Sequence, residues 1–142
     1  MSTSSSDGRD GDAGDAASAR VVSYSIDSER RRVLVYAAGV LTRRALDVVR
    51  EQLSKEPTFD PTFDQLFDLS GATNIAIPSG EMESVASVSA FQTGVRRAFV
   101  CTTDMQYGMA RMFSAMVESY GHTARVFRNL AEAEEWLESP RG

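Results

Sequence analysis

The first regular pattern of apolar and polar positions is an alternation with a period of two. Residues 22–26 show it, residues 33–35 repeat it, and residues 27–30 between them are all polar or charged. Such an alternation is typical of strands with one buried face, and a short polar turn between two of them predicts a β-hairpin. Gly39 is predicted to end the second strand of this hairpin.

Helical apolar spacing follows the hairpin in two places. Thr42 is predicted to cap the first helix, because Leu41 and Leu46 around its first turn have the spacing of a hydrophobic staple. Ser79 is predicted to cap the second helix. The inner face of this second helix consists mainly of small residues, which allow close packing against a neighbouring element.

Two further helix starts carry the spacing of a capping box. Thr103 is followed three residues later by Gln106, and Asn129 is followed three residues later by Glu132. The third helix is predicted to end at Gly121, since glycine accepts the left-handed conformation that ends many helices. The pattern therefore predicts four helices.

Three short apolar runs at residues 65–69, 98–101 and 124–127 predict strands between the helices. The dense apolar content of the first run favours a central position in a sheet covered on both sides, and Ser70-Gly71 is predicted to end it. The resulting order is ββαβαβαβα. Because strand–helix–strand units require parallel neighbours, this order predicts an α/β fold with a mixed, mostly parallel five-stranded sheet and about four helices.

Residues 1–20 differ from the rest of the chain in composition. They are mainly Ser, Asp, Gly and Ala, and they contain no large apolar side chain after Met1. A segment with so little to bury is predicted to be a disordered acidic tail, which leaves residues 21–142 as a single domain. No secretory signal is recognisable, and no apolar run approaches the roughly 18 residues that span a bilayer. A cytoplasmic location without a transmembrane segment is therefore predicted.

Composition also narrows the classes of function. The chain has 15 basic and 20 acidic residues and a net charge of −5, which disfavours nucleic-acid binding. One cysteine forbids an internal disulfide, and one cysteine with one histidine does not supply the ligands of a zinc site. The motifs of a nucleophile elbow, a phosphate-binding loop and a metalloprotease are all missing. We therefore predict no catalytic residue, no metal and no cofactor.

A few isolated residues carry reactive or charged groups. His122 is interpreted as a polar loop residue, and Cys101 as an inert buried thiol. The arginines at residues 30–32 are interpreted as exposed charges on a turn and an edge strand. Asp64 and Asp68 lie four residues apart on a predicted strand, so their side chains are predicted to point to the same side of the sheet.

Two segments carry a family resemblance. Residues 66–75 read LFDLSGATNI and are followed by Ser79-Gly80, which resembles the Asp-Leu-Ser-Gly strand and the Asp-Ser-Ser-Gly turn of STAS domains. The ending, residues 125–137, is similar to the close of many small bacterial STAS-like proteins. The resemblance covers about residues 21–138. It implies the SpoIIAA-like fold of anti-sigma-factor antagonists, with which Sec14-like domains are grouped.

The resemblance also implies a function. In anti-sigma-factor antagonists a partner kinase phosphorylates the serine that precedes the turn glycine, and Ser79 holds that position here. We therefore expect a non-catalytic regulatory domain that binds a protein partner or forms a homodimer. Ser79, Gly80 and Asn74 are its candidate phosphoacceptor or contact residues. Ile77-Pro78 stands where the family has Asp-Ser, and a simple helix cap is the alternative interpretation of Ser79.

Methionines form a stripe on the third predicted helix at spacings of four, three and four residues. A helix that packs on a sheet buries such a face, so core packing is predicted for the stripe. A homodimer contact and a pocket for an apolar ligand are alternatives, because methionine is flexible and polarizable. The pocket alternative corresponds to a Sec14-like domain that binds a lipid or a small apolar ligand. The stripe consists of Met105, Met109, Met112 and Met116.

Overall fold

A computed structural model describes residues 21–140, so the predicted disordered tail at residues 1–20 lies outside the described part. Within these residues, five strands alternate with four helices in the predicted order after an initial hairpin. The elements are β1 (Val22–Asp27), β2 (Arg32–Thr42), α1 (Arg43–Ser54), β3 (Asp64–Ala76), α2 (Ser79–Ser87), β4 (Arg96–Val100), α3 (Asp104–Ser119), β5 (Thr123–Phe127) and α4 (Leu130–Glu138).

The five strands form one mixed sheet with the spatial order β1-β2-β3-β4-β5. β1 pairs with β2 in the antiparallel direction, and every other neighbouring pair is parallel. The predicted α/β architecture is confirmed. β3 occupies the centre, as its continuous apolar run predicts.

The two faces of the sheet bury different cores. Phe67 and Phe99 point to the larger core, which is covered by α1, α2 and α3. Their chain neighbours Leu66 and Ala98 point to the opposite face, where they pack against Ala133 and other residues of α4. Alternation along each strand therefore divides the apolar side chains between two layers of helices.

β2 and β3 are longer than their sequence patterns predict. The predicted stops at Gly39 and at Ser70-Gly71 are wrong, because β2 continues to Thr42 and β3 continues to Ala76. Register shifts occur between Tyr36 and Ala38 and between Gly39 and Val40. Gly39 has a φ of +81°, which glycine accepts at little cost, so this residue accommodates a bulge instead of ending the strand.

Gln106 joins the bulged part of β3 to the start of α3. It is 1% exposed, and its Nε2 donates to the carbonyl oxygen of Ala72 at 2.7 Å and to that of Ser70 at 3.3 Å. Its Oε1 accepts hydrogen bonds from the backbone N–H groups of Thr102 and Thr103. The predicted capping box of Thr103 and Gln106 is confirmed, and the same carboxamide also holds β3 in place.

The predicted exposure of the arginine cluster at residues 30–32 is wrong for Arg32, which is 4% exposed. The edge strand of this hairpin is β1, so β2 is flanked on both sides and Arg32 lies opposite Asp64 in the register with β3. Arg96 is also buried, and its guanidinium donates to the carbonyl oxygens of Trp136, Ser139 and Pro140 at the end of α4. These contacts connect β4 to the last turn of α4 and to the two residues that follow it.

Arg97 is buried on the larger core face. Its Nε donates to Gln65 Oε1 at 2.8 Å, and its guanidinium lies 5.6 Å from the ring centroid of Phe91. Burial lowers the pKa of this guanidinium to about 10, so Arg97 is charged at neutral pH. His122, which is interpreted from sequence as a polar loop residue, is instead 6% exposed beside this core. Burial, and then the charge of Arg97, lower the pKa of the His122 imidazole.

Removing the Gln106 carboxamide tests its joining role. Gln106→Leu leaves two N–H groups and two carbonyl oxygens without this partner, so we expect a loss of about 3 kcal/mol in the free energy of unfolding, measured in urea. Gln106→Glu keeps the acceptor but loses the Nε2 donor, and is expected to be destabilised as well. Gln52→Leu on the exposed side of α1 is the control, and an equal effect there would contradict the assignment.

His122 predicts a pH dependence of stability. Its folded-state pKa lies below that of the unfolded chain, so below the unfolded pKa of about 6.5 the unfolded state binds more protons. The contribution of His122 to stability is therefore fully present above this pH, and it is lost as the pH decreases toward the folded-state pKa. Urea midpoints between pH 7.5 and pH 5.5 should fall less steeply for His122→Phe than for the native chain. If the urea midpoints of both proteins fell equally with pH, His122 would not contribute to the pH dependence of stability.

Candidate functional site

The candidate site is the segment Asn74–Glu83, which comprises the end of β3, a short link and the first residues of α2. Asn74, Ser79 and Gly80 are all exposed. Ile77 and Met82 are 7% and 3% exposed, so they anchor the segment in the core while its polar residues face outward. The structure therefore brings the three predicted site residues to one exposed segment.

The helix cap at the start of α2 is Pro78, not Ser79. Pro78 has an extended conformation, with φ −56° and ψ 140°, and its carbonyl oxygen accepts a hydrogen bond from the Glu81 N–H at 2.8 Å. Ser79 is the first helical residue, and no side-chain capping bond forms. The prediction of Ser79 as an N-cap is wrong, because the proline fixes the turn one residue earlier. This leaves the Ser79 hydroxyl without a capping role.

Arg43 connects this segment to α1. Its Nη2 donates to Ser84 Oγ at 2.9 Å, and its Nη1 lies 3.5 Å from Glu81 Oε1. The same guanidinium lies 3.5 Å from Asp47 on its own helix. These groups are partly exposed, so each ion pair contributes little to stability. Their arrangement nevertheless places a partly compensated cation beside the first turn of α2.

A second contact connects α2 to α3. The Tyr120 hydroxyl donates to Glu83 Oε2 at 3.1 Å, and this hydrogen bond raises the pKa of Tyr120. Glu81 and Glu83 are both exposed. The surface of the segment therefore carries two carboxylates and one arginine around the Ser79 hydroxyl.

The Asp-Leu-Ser-Gly motif of β3 has a structural role. Asp68 Oδ1 accepts a hydrogen bond from the Ser70 N–H at 2.9 Å, which supports the irregular backbone there. A Cβ at Gly71 would overlap the Tyr36 hydroxyl and would lie 2.7 Å from the Ala37 carbonyl oxygen. Glycine is therefore required where the Tyr36 side chain crosses from β2 to β3.

The core prediction for the methionine stripe is confirmed for Met116, which packs against the larger core, and is wrong for Met105, Met109 and Met112. The buried residues of the helix are Gln106, Ala110, Ser114 and Val117. At 3.6 residues per turn, the methionines lie about a third of a turn away from that line. Met105 is 40% exposed, and the other three are half-buried. The small residues pack closely on the sheet and leave the methionines at the flank of the helix.

Other reactive groups do not form a site with this segment. Cys101 is fully buried, and burial raises the pKa of its thiol to about 11. Asp64 and Asp68 share one face of β3 as predicted, Asp64 buried and Asp68 half-buried. Residues 21–140 contain no cluster of three or more His, Cys, Asp or Glu side chains suited to a metal ion. Over the same residues, no helix combines the length and apolar character needed to cross a membrane.

The arrangement of strands and helices is similar to that of an uncharacterized protein of the DUF3478 family from Shewanella loihica PV-4, whose crystal structure shows a SpoIIAA-like fold. The similarity covers 82% of this chain and 93% of that chain, with a TM-score of 0.54 and 14% sequence identity. This chain has a SpoIIAA-like fold. At this identity the likeness establishes the fold alone. No family profile and no curated protein matches the sequence.

The SpoIIAA-like fold explains the second segment of the family resemblance. Phe127 at the end of β5 lies 5.6 Å, centroid to centroid, from Trp136 on α4. Both side chains pack against the smaller core. The apolar residues of this C-terminal segment therefore pack α4 against its face of the sheet. Their role is structural, and they do not indicate a partner.

The crowding at Gly71 predicts a large effect of a single methyl group. Gly71→Ala is expected to lower the free energy of unfolding by about 2 kcal/mol, since Tyr36 is able to rotate away but the Ala37 carbonyl is fixed in the strand. Gly80→Ala is the matched control, because a Cβ there meets nothing within 4 Å. It should be neutral or slightly stabilising, since alanine favours a helix. Thermal unfolding of both variants measures the difference, and equal values would contradict this role.

Proposed function

We propose that this SpoIIAA-like chain is a non-catalytic regulatory domain that binds a protein partner through the segment Asn74–Glu83. We further propose that modification of Ser79 controls this binding. The observation that carries the proposal is the position of the Ser79 hydroxyl, which is exposed at the first residue of α2 and makes no capping bond. A residue in this position is accessible to both a kinase and a partner.

The rigidity of the flanking elements supports a recognition role. β3 continues to Ala76 through pairing with β2, and Ile77 is buried directly after it. The exposed side chains are therefore presented on a regular element instead of a long loop. Such a preorganised surface reduces the conformational entropy that partner binding costs.

Electrostatics supports a switching role for Ser79. A phosphoryl group there would adjoin the positive end of the α2 dipole, which favours the anion. It would also compete with Glu81 for Arg43, which lies 3.5 Å from that carboxylate. Glu81 and Glu83 would repel it. Phosphorylation would thus redistribute the charges of the contact surface.

Two observations support a function without catalysis. The Cys101 thiol is buried and its pKa is raised, so it is a poor nucleophile. The His122 imidazole is buried beside the charged Arg97, which disfavours its protonated form. The two side chains most suited to nucleophilic or acid–base chemistry are therefore withdrawn from the surface.

The test combines modification with binding. The full chain, incubated with host extract and ATP, should gain a phosphate at Ser79, detected by mass spectrometry of its peptides. The immobilised chain should retain a stoichiometric host protein. Ser79→Asp, which adds a negative charge beside Glu81, should weaken this retention at least about tenfold, equivalent to about 1.4 kcal/mol.

Ser28→Asp is the control variant, because Ser28 is an exposed serine on the distant β1–β2 turn. It should retain the partner as the native chain does. If Ser79 stays unmodified and both aspartate variants bind the same proteins as the native chain, the regulatory proposal is wrong.

A Sec14-like ligand-binding domain is the second candidate. The partial exposure of the methionine stripe favours it, since flexible thioethers on a helix flank suit an apolar ligand. Native mass spectrometry of protein purified from its host separates the two candidates. A co-purifying lipid supports the ligand-binding function, whereas a bound protein supports the regulatory one.

A further inference from the structure

A groove lies on the face of the sheet opposite to α1, α2 and α3. It has a volume of about 250 Å³, and β1, β2, β3 and the first residue of α4 line it. α4 covers this face over β3, β4 and β5, which leaves the β1–β2 part open among the described residues. Ser23 and Ser25 on β1 carry short side chains, and these give the groove its depth.

The register of the sheet arranges the lining in two rows. Leu34 and Leu66 are neighbours on β2 and β3 and form an apolar row, to which Leu130 adds from α4, and Ser25 on β1 lies opposite Leu34. Ser23, Tyr36 and Asp68 form the next row, which carries an aromatic ring beside a carboxylate. The groove is therefore apolar at one end and negatively charged at the other.

The Asp68 carboxylate is not neutralised within the described part of the chain. One oxygen accepts the Ser70 N–H at 2.9 Å, and no arginine or lysine among residues 21–140 lies within ion-pair distance of either oxygen. Arg128 is engaged elsewhere, 3.2 Å from Asp104 and over the ring of Tyr107. A half-buried carboxylate beside apolar surface attracts a cation more strongly than a fully solvated one.

Tyr36 adds a second attraction for a cation. It lies directly opposite Asp68 in the register and is 44% exposed, so part of its side chain is accessible to a ligand. The face of an aromatic ring attracts ammonium groups, and a neighbouring carboxylate reinforces this attraction. The two side chains together match the charge of an organic cation, and the leucines match an apolar body attached to it.

We propose that this groove binds a small organic cation, an ammonium group carried on an aromatic or aliphatic body of side-chain size. The ammonium would lie between the Asp68 carboxylate and the Tyr36 ring, and the body would lie on Leu34, Leu66 and Leu130. This site is separate from the Ser79 segment and does not depend on the function proposed for it. It would be a small-molecule binding site on the part of the sheet that the helices leave open.

The 2-phenylethylammonium ion is a suitable probe, titrated into the full chain and followed by amide chemical shifts. Binding should saturate with a dissociation constant on the order of millimolar, typical of a ligand this small. The shifts should map to β1, β2 and α4 around the groove. Neutral 2-phenylethanol and anionic 3-phenylpropanoate, which share the ring, should bind at least about tenfold more weakly.

Asp68→Asn tests the carboxylate, since an asparagine oxygen still accepts the Ser70 N–H and preserves the fold. It should weaken binding of the ammonium probe at least about tenfold. Glu118→Gln removes one negative charge in the same way from an exposed position on α3, away from the groove, and should not affect binding. Absence of saturable binding, equal affinity for the neutral alcohol, or an unchanged affinity of Asp68→Asn would each overturn the proposal.

Discussion

The continuation of β3 past Gly71 is the constraint on which the rest of the structure depends. Without it, the chain between Gly71 and Pro78 would be a loop, and the start of α2 would have no fixed position. Two contacts support the continuation: pairing with β2 across a bulge in β3 beside Gly39, and the Gln106 carboxamide that bonds the Ala72 carbonyl oxygen. A satisfied buried amide of this kind is costly to break, so it specifies one backbone path.

Local patterns are sufficient to predict much of this fold. The spacing of Thr103 and Gln106 predicts the start of α3, and the apolar run in β3 predicts the central position of this strand in the sheet. Gly39 shows where such reasoning fails. A glycine marks an unusual backbone conformation, but only the partner strand decides whether that conformation is a stop or a bulge.

The same limitation affects the candidate site and the charged residues. Serine is a residue type that often caps helices, yet Pro78 and not Ser79 is the N-cap of α2, because the extended conformation of Pro78 suits the turn. Arg32 and Arg96 look like surface charges, but the strand order places them in the interior, where Asp64 and the end of α4 surround them. Conversely, the methionines of α3 look like a core face because smaller residues beside them are less conspicuous in the sequence.

Both proposed surfaces contain residues of β3, one at the end of the strand and one on its open face. The central claim is therefore that β3 continues past Gly71. Native-state hydrogen exchange of the backbone amides in residues 71–76 tests it most directly. The amides that bond β2 should exchange slowly, in the range of those in residues 65–69. Exchange as fast as that of the exposed turn at residues 28–31 would show that β3 ends at Gly71 and would contradict the account.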